Sequence, residues 1–292
     1  MAPRKPKIPK KEQLLARIIA IDSERRDATK ELEKELKKLY RDYFARVRSL
    51  IATDRELRRT DAMQLQAATR MIGELTGILR DSGFSDVVRN YGTQFEPLAQ
   101  VAASYYEPFG LDPSLAGVSR ESLQAYVRFS QVEFGYQVNK ELVRPVQSAL
   151  MQANFGSLSR DQVIDQVVKL DERTNVAKAT GFVDDSFAQF QRTVITQKGD
   201  NLDLEIYQYL GPDDSITSDQ CEAMLHVNRH GVPGMLYKDE ITVKLHPKLA
   251  RDPLTGGGHM RCRHQWSPVT EEYAVSLGFR PRGGEEGEDE NG

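Results

Sequence analysis

The sequence predicts a mainly α-helical protein, with long N-terminal helices and a helical middle, followed by a small α+β unit towards the C-terminus. Three observations predict this. From Leu14 to Ile195 the apolar residues recur in steps of three and four, the period of one helix face. At Leu202, Leu204 and Ile206 the step becomes two, against Asp203, Glu205 and Tyr207, and the run stops at Gly211-Pro212 in the manner of a strand. Both cysteines and all five histidines lie beyond residue 220: Cys221, Cys262, His226, His230, His246, His259 and His264. Side chains suited to soft-metal binding or cross-linking are therefore gathered in the α+β unit.

Composition narrows the class. A hydrophobic fraction of 39% and a charged fraction of 28% in 292 residues fit an elongated helical protein with a modest core. No run approaches the ~18 apolar residues of a membrane span, so no membrane partner is expected. Met1 to Lys11 is basic but no apolar stretch follows, so it is not read as a secretory signal. Two cysteines do not make a disulfide framework, which fits synthesis in a reducing cytoplasm. Residues 1–60 carry 18 Lys and Arg against 10 Asp and Glu, a net +8; the total is −3, so the remaining residues carry −11. A basic end on an acidic chain suits an anionic partner, and a solvated mixed-charge helix explains the same numbers.

Taken in order, residues 1–10 hold three prolines and four basic residues, a composition that predicts a disordered arm. Its Arg4, Lys5, Lys7, Lys10 and Lys11 are candidate nucleic-acid contacts. A helical N-terminal region covers 11–114. Lys11 to Arg59 reads as helix, with the polar stretch Asp22 to Lys30 expected to break it or lie exposed. Its narrow stripe suits a helical hairpin, an oligomeric contact or packing on its own domain. Asp61 to Leu79 is a second helix, and Phe84 to Tyr106 a third with a break at Gly92 and Pro97. Pro108 to Pro113 reads as a loop. A second region, 115–280, begins with a helix from Ser119 to Gln152. Its aromatics Tyr126, Phe129, Phe134 and Tyr136 are expected in the core, and Pro145 is expected to kink or end it. Ser159-Arg160-Asp161-Gln162 is a capping box opening a helix to Leu170. A helix over Val183 to Gln197 should end at Lys198-Gly199-Asp200. Strand patterns at Leu202 to Leu210 and Ile241 to Leu245, with the segment Arg261 to Trp266, predict a small sheet. The acidic residues 281–292 predict a disordered tail.

The Cys/His segment carries the candidate chemistry. Zinc takes about four ligands in a tetrahedron, often in pairs at short spacing. Cys221-x4-His226 is one such pair; Cys262 with His264 or with His259 is the other. A Cys221–Cys262 disulfide, closing a loop of about 40 residues for roughly 3–4 kcal/mol, is a second reading. Two free buried thiols are a third. All three stay open, but a sheet this small needs a staple, so the two cysteines are expected to lie close together. A metal-dependent hydrolase of nucleic acid would recruit His259, His264 and Asp219, with Asn228-Arg229-His230 nearby. No nucleotide-binding or hydrolase motif spans them, and no catalytic residue is assigned.

Four features recur in order from about residue 156. They are Gly156-Ser157-Leu158-Ser159 at a helix start, Arg192-Thr193 within a helix, the strand and Asp-rich turn from Tyr207 to Met224, and His259-Met260-Arg261-Cys262-Arg263-His264 followed by Pro268-Val269. This order resembles the phage head morphogenesis family, the MuF-like minor head proteins, over roughly residues 115–270. The resemblance implies a structural virion protein rather than an enzyme. It would act in few copies inside the capsid, after assembly in the host cytoplasm. The portal protein and the scaffold or capsid proteins would be its partners, with genomic DNA and further copies of itself as additional ones during DNA packaging. Two positions depart from the family pattern. Met224 stands where a second cysteine is expected and His264 at the last cysteine position.

Overall fold

The computed structural model describes residues 8–53, 62–156, 159–173, 176–215, 217–241, 252–256 and 262–282. Its helices are α1 (Lys11–Thr53), α2 (Ala62–Asp81), α3 (Phe84–Thr93), α4 (Phe95–Ala103), α5 (Arg120–Gly156), α6 (Arg160–Arg173), α7 (Ala177–Asn201), α8 (Asp219–His226), α9 (Pro253–Gly256) and α10 (Glu271–Ser276). The strands are β1 (Ile206–Leu210), β2 (Met235–Tyr237) and β3 (Gln265–Val269). The predicted class, mainly α with a small α+β portion towards the C-terminus, is the observed one. The described chain forms two compact units. One is built from Met1–Arg25, Phe95–Leu123 and Asp185–Gly292, the other from Arg26–Gln94 and Gln124–Asp184. Each draws on separate stretches of chain. The arm residues Arg4, Lys5 and Lys7, and the acidic tail from Gly283, lie outside the described residues.

The second unit is all helix. Leu32, Leu36, Leu39, Tyr43, Phe44, Val47 and Ile51 of α1 are buried at the predicted three- and four-residue steps, as are Met71, Leu75 and Leu79 of α2. Phe134 of α5 stacks on Tyr91 of α3 at 4.6 Å. The Ser159 box forms as expected: the Ser159 hydroxyl accepts the Gln162 amide at 3.3 Å, and the Gln162 side chain accepts the Ser159 amide at 2.7 Å. Among the four α5 aromatics expected in the core, only Phe134 is fully buried; Tyr126 is half-buried, and Phe129 and Tyr136 are exposed. Pro145 does not end α5, because buried Leu142, Val143 and Val146 hold the helix on both sides of it.

Within α1 the polar stretch Asp22 to Lys30 neither breaks nor lies wholly exposed. Arg25 is buried with its guanidinium on Asp22, and the buried Thr29 donates to Asp184 at 3.3 Å. The break expected at Gly92 and Pro97 falls at Gln94. Pro97 sits in the first turn of α4, where a helix does not need its amide.

The first unit holds the sheet. Phe95 packs edge-on against Phe187 and Phe190 of α7 at 5.1 and 4.9 Å. The predicted loop at Pro108 is instead part of a 3-10 turn, Ser104–Phe109, anchored by buried Tyr105, Tyr106 and Phe109. The Tyr105 hydroxyl donates to the Pro268 carbonyl at 3.1 Å. Helix α7 runs past Gly199 to Asn201. A Cβ at Gly199 would come within 2.5 Å of the Pro268 ring, so the glycine marks close packing on β3 rather than a helix stop. The sheet is antiparallel in the order β2-β1-β3, with Tyr207 opposite Leu236 and Pro268, and Tyr209 opposite Trp266. Strand β1 begins at Ile206, four residues later than predicted, after a turn in which Asp203 adopts φ 54°. All five β1 residues are buried, as expected of a central strand covered on both faces. The predicted strand Ile241 to Leu245 lies outside the described residues apart from Ile241, and β2 at Met235–Tyr237 takes the edge position.

Candidate metal centre

Cys221 enters the site from the first turn of α8. Ser218 caps that helix, accepting the Cys221 amide at 3.3 Å. The preceding Asp-rich turn is tied to the other half of the site, because Arg263 grips Asp214 with two hydrogen bonds of 2.8 and 2.6 Å. Cys262 and His264 enter on the extended segment leading into β3. That segment is held by Arg192 of α7, which donates to the Cys262 carbonyl at 2.6 Å and the His264 carbonyl at 3.4 Å. Arg192 is buried, and burial lowers its pKa from the usual guanidinium value. The strand register then places Tyr209 beside both thiols and the imidazole.

The two sulfurs lie 3.5 Å apart, as the staple argument expects, and both cysteines are free. Tyr209 donates its hydroxyl to Cys221 Sγ at 3.4 Å and lies 3.9 Å from Cys262 Sγ. Its ring stacks on His264 with centroids 5.5 Å apart and planes 10° from parallel. Cys221, Cys262 and His264 bring one donor atom each to within 4.8 Å of one another. They are 0%, 2% and 2% exposed, inside a core of Tyr207, Leu236, Ile241, Leu254 and Trp266.

The electrostatics divide the pair. The hydrogen bond to Cys262, and then burial, push the Cys221 thiol up. The hydrogen bond with Cys221 pulls Cys262 down, with His264 and the Arg192 charge acting in the same direction against burial. His264 Nε2 is buried with no hydrogen-bond partner among the described residues, which is costly in an apolar core. Two sulfurs and an imidazole nitrogen within 4.8 Å of one another can hold a metal ion.

The predicted donors divide accordingly. Cys221, Cys262 and His264 come together, while His259, with His246, lies outside the described residues. His226 does not join them. It is exposed on the last turn of α8, and five residues from Cys221 is about 140° round a helix. His230 is not a site residue either: its Nε2 lies 2.8 Å from Glu240, and its ring packs on Phe279. Met224, at the position of the missing second cysteine, is one turn along α8 from Cys221 and joins the same core. Tyr209 and Arg192 were not assigned to the site from sequence. Arg192 carried a signal in the Arg192-Thr193 pair, whereas an aromatic in a strand carries none. Among the candidate nucleic-acid contacts, Lys10 and Lys11 are exposed at the start of α1. No family model matches this chain, and no curated protein or solved structure matches it.

Proposed function

We propose that this chain is a structural minor head protein of the MuF-like type, acting in phage head morphogenesis, and that its C-terminal portion is stapled by zinc on Cys221, Cys262 and His264. The observation that carries the reading is the convergence at Arg192. Two of the four motifs behind the resemblance, the Arg192-Thr193 helix and the Cys262 segment, are joined by Arg192, which hydrogen-bonds two carbonyls of that segment. At the last family cysteine position, His264 keeps a metal-donating side chain in place.

Zinc suits the donor set. With Zn–S near 2.3 Å, two thiolates on one tetrahedral ion stand about 3.8 Å apart, close to the sulfur separation here. A bound ion would hold α8 to the segment leading into β3. The burial of all three donors favours a structural role over hydrolysis, since a nucleic-acid backbone has no exposed donor to approach. The basic start of α1 and the arm before it would face DNA, the portal or the scaffold.

The test has two parts. Heads purified from the phage encoding the chain should contain it in a few copies, and deleting its gene should impair head assembly. Its absence from proheads and heads, with normal assembly after deletion, would overturn the head-protein reading. Elemental analysis of the purified chain should find about one zinc, lost in a Cys221→Ala/Cys262→Ala variant. A metal-free native protein that takes up no added zinc would overturn the staple alone.

A further inference from the structure

Helix α5 is apolar on two opposite faces, and its own unit covers only one of them. Ser130, Phe134, Val138 and Leu142 are buried, while Phe129, Val132 and Tyr136 are 65%, 70% and 47% exposed. At 100° per residue, Val132 stands about 200° from Phe134, and the three exposed residues fall within about 60° of one another. Single exposed apolar side chains are ordinary, but a stripe of three with charged flanks marks a contact surface.

The spacing and the charges say what fits it. Positions 129, 132 and 136 are the a, d and a positions of a coiled-coil seam, with Arg128 at g and Glu133 at e. In a parallel pair of helices each g residue faces the e residue five positions on in the partner. Arg128 of each copy would then meet the partner's Glu133, twice by symmetry. An antiparallel pair instead sets g against g and e against e, and loses both matches. Arg144 lies over the Tyr136 ring at 5.1 Å.

We propose that α5 is a docking surface for a second copy of this chain, packed in parallel through Phe129, Val132 and Tyr136. The exposed parts of two aromatics and a valine from each copy amount to roughly 700 Å² in total, below the size of a standard stable interface. The dimer is therefore weak and forms as concentration rises. The inference does not depend on the metal centre or on the head-protein reading.

Sedimentation equilibrium of the full chain, from about 1 to 500 µM, tests it. The mass should climb from 33.0 kDa towards twice that value. Phe129→Glu should leave a monomer throughout, with an unchanged melting curve because the side chain is exposed. Arg128→Glu and Glu133→Arg should each weaken the dimer about tenfold, and the two together in one chain should restore it to within about threefold. A chain that stays monomeric overturns the proposal and leaves the stripe to a different protein. A dimer indifferent to Phe129→Glu, or a double reversal as weak as the singles, overturns the seam or its parallel register.

Discussion

Gly211 shows how one residue governs the candidate centre. A Cβ at this position would meet His264 Cδ2 at 2.4 Å and His264 Cα at 2.9 Å, and the backbone atom cannot swing away. Gly211→Ala should therefore push His264 out of the cluster. We expect a loss of about 1–3 kcal/mol in urea unfolding, as for other overpacked sites, and at least about tenfold weaker zinc binding in a chelator competition. Unchanged stability and unchanged metal affinity would remove Gly211 from this role. In the sequence Gly211-Pro212 is legible as a strand stop, but not as the gap His264 fills, since the two are 53 residues apart. The x4 spacing misled for a related reason. It places His226 near Cys221 along the chain, while the helix turns it to another side.

At the scale of elements, Glu240 gathers Arg229, His230, Tyr237 and Arg282 around one carboxylate. The Tyr237 amide, His230 and Arg282 donate to this half-buried carboxylate, and Arg229 lies 4.0 Å away. Burial pushes its pKa up, but the Tyr237 amide, His230 and Arg282 outweigh burial and hold it below the usual carboxylate value. A depressed pKa stabilises the fold above the unfolded value of about 4.3, and that stability is lost as pH falls through the lower folded value. Glu240→Gln should therefore melt a few degrees lower than the native chain at pH 6, and the gap should shrink by pH 3.5. Thermal melts across that range check it, and a constant gap would remove the ionised carboxylate from the account. The sequence gives His230 the look of a catalytic neighbour through Asn228-Arg229-His230. Only the return of the chain at Glu240 turns it into a structural contact.

For the whole molecule, the charge division frames a prediction about DNA binding. Positive charge over residues 1–60 should give weak, sequence-independent DNA binding that falls steeply with salt. Removing residues 1–11 deletes Arg4, Lys5, Lys7, Lys10 and Lys11, and should flatten the slope of log K against log salt by about 4. Filter binding or anisotropy at several salt concentrations measures it. If the intact chain binds no DNA even at low salt, the basic end serves a protein partner. The same preparations should not cleave DNA or RNA; metal-dependent cleavage abolished by His264→Ala would contradict the structural reading.

The sequence by itself determined what depends on neighbours along the chain. The helical stripes of α1 and α2, the Ser159 capping box and the gathering of Cys221, Cys262 and His264 near the C-terminus are all local patterns of period, cap and composition. Tertiary structure decided what depends on distant partners. Arg25 is buried in a stretch that reads as solvated, where it shares a small cavity with Ala188, Gln191 and Gln265, far from it in sequence. Phe129 and Tyr136 turn outward on a helix that reads as core, because only one face of α5 is covered by its own unit. Arg192 reaches the Cys262 segment across 70 residues of sequence. Periodicity reports which side chains share a face, but which face is covered, and by what, is set by the packing of segments far apart in the chain.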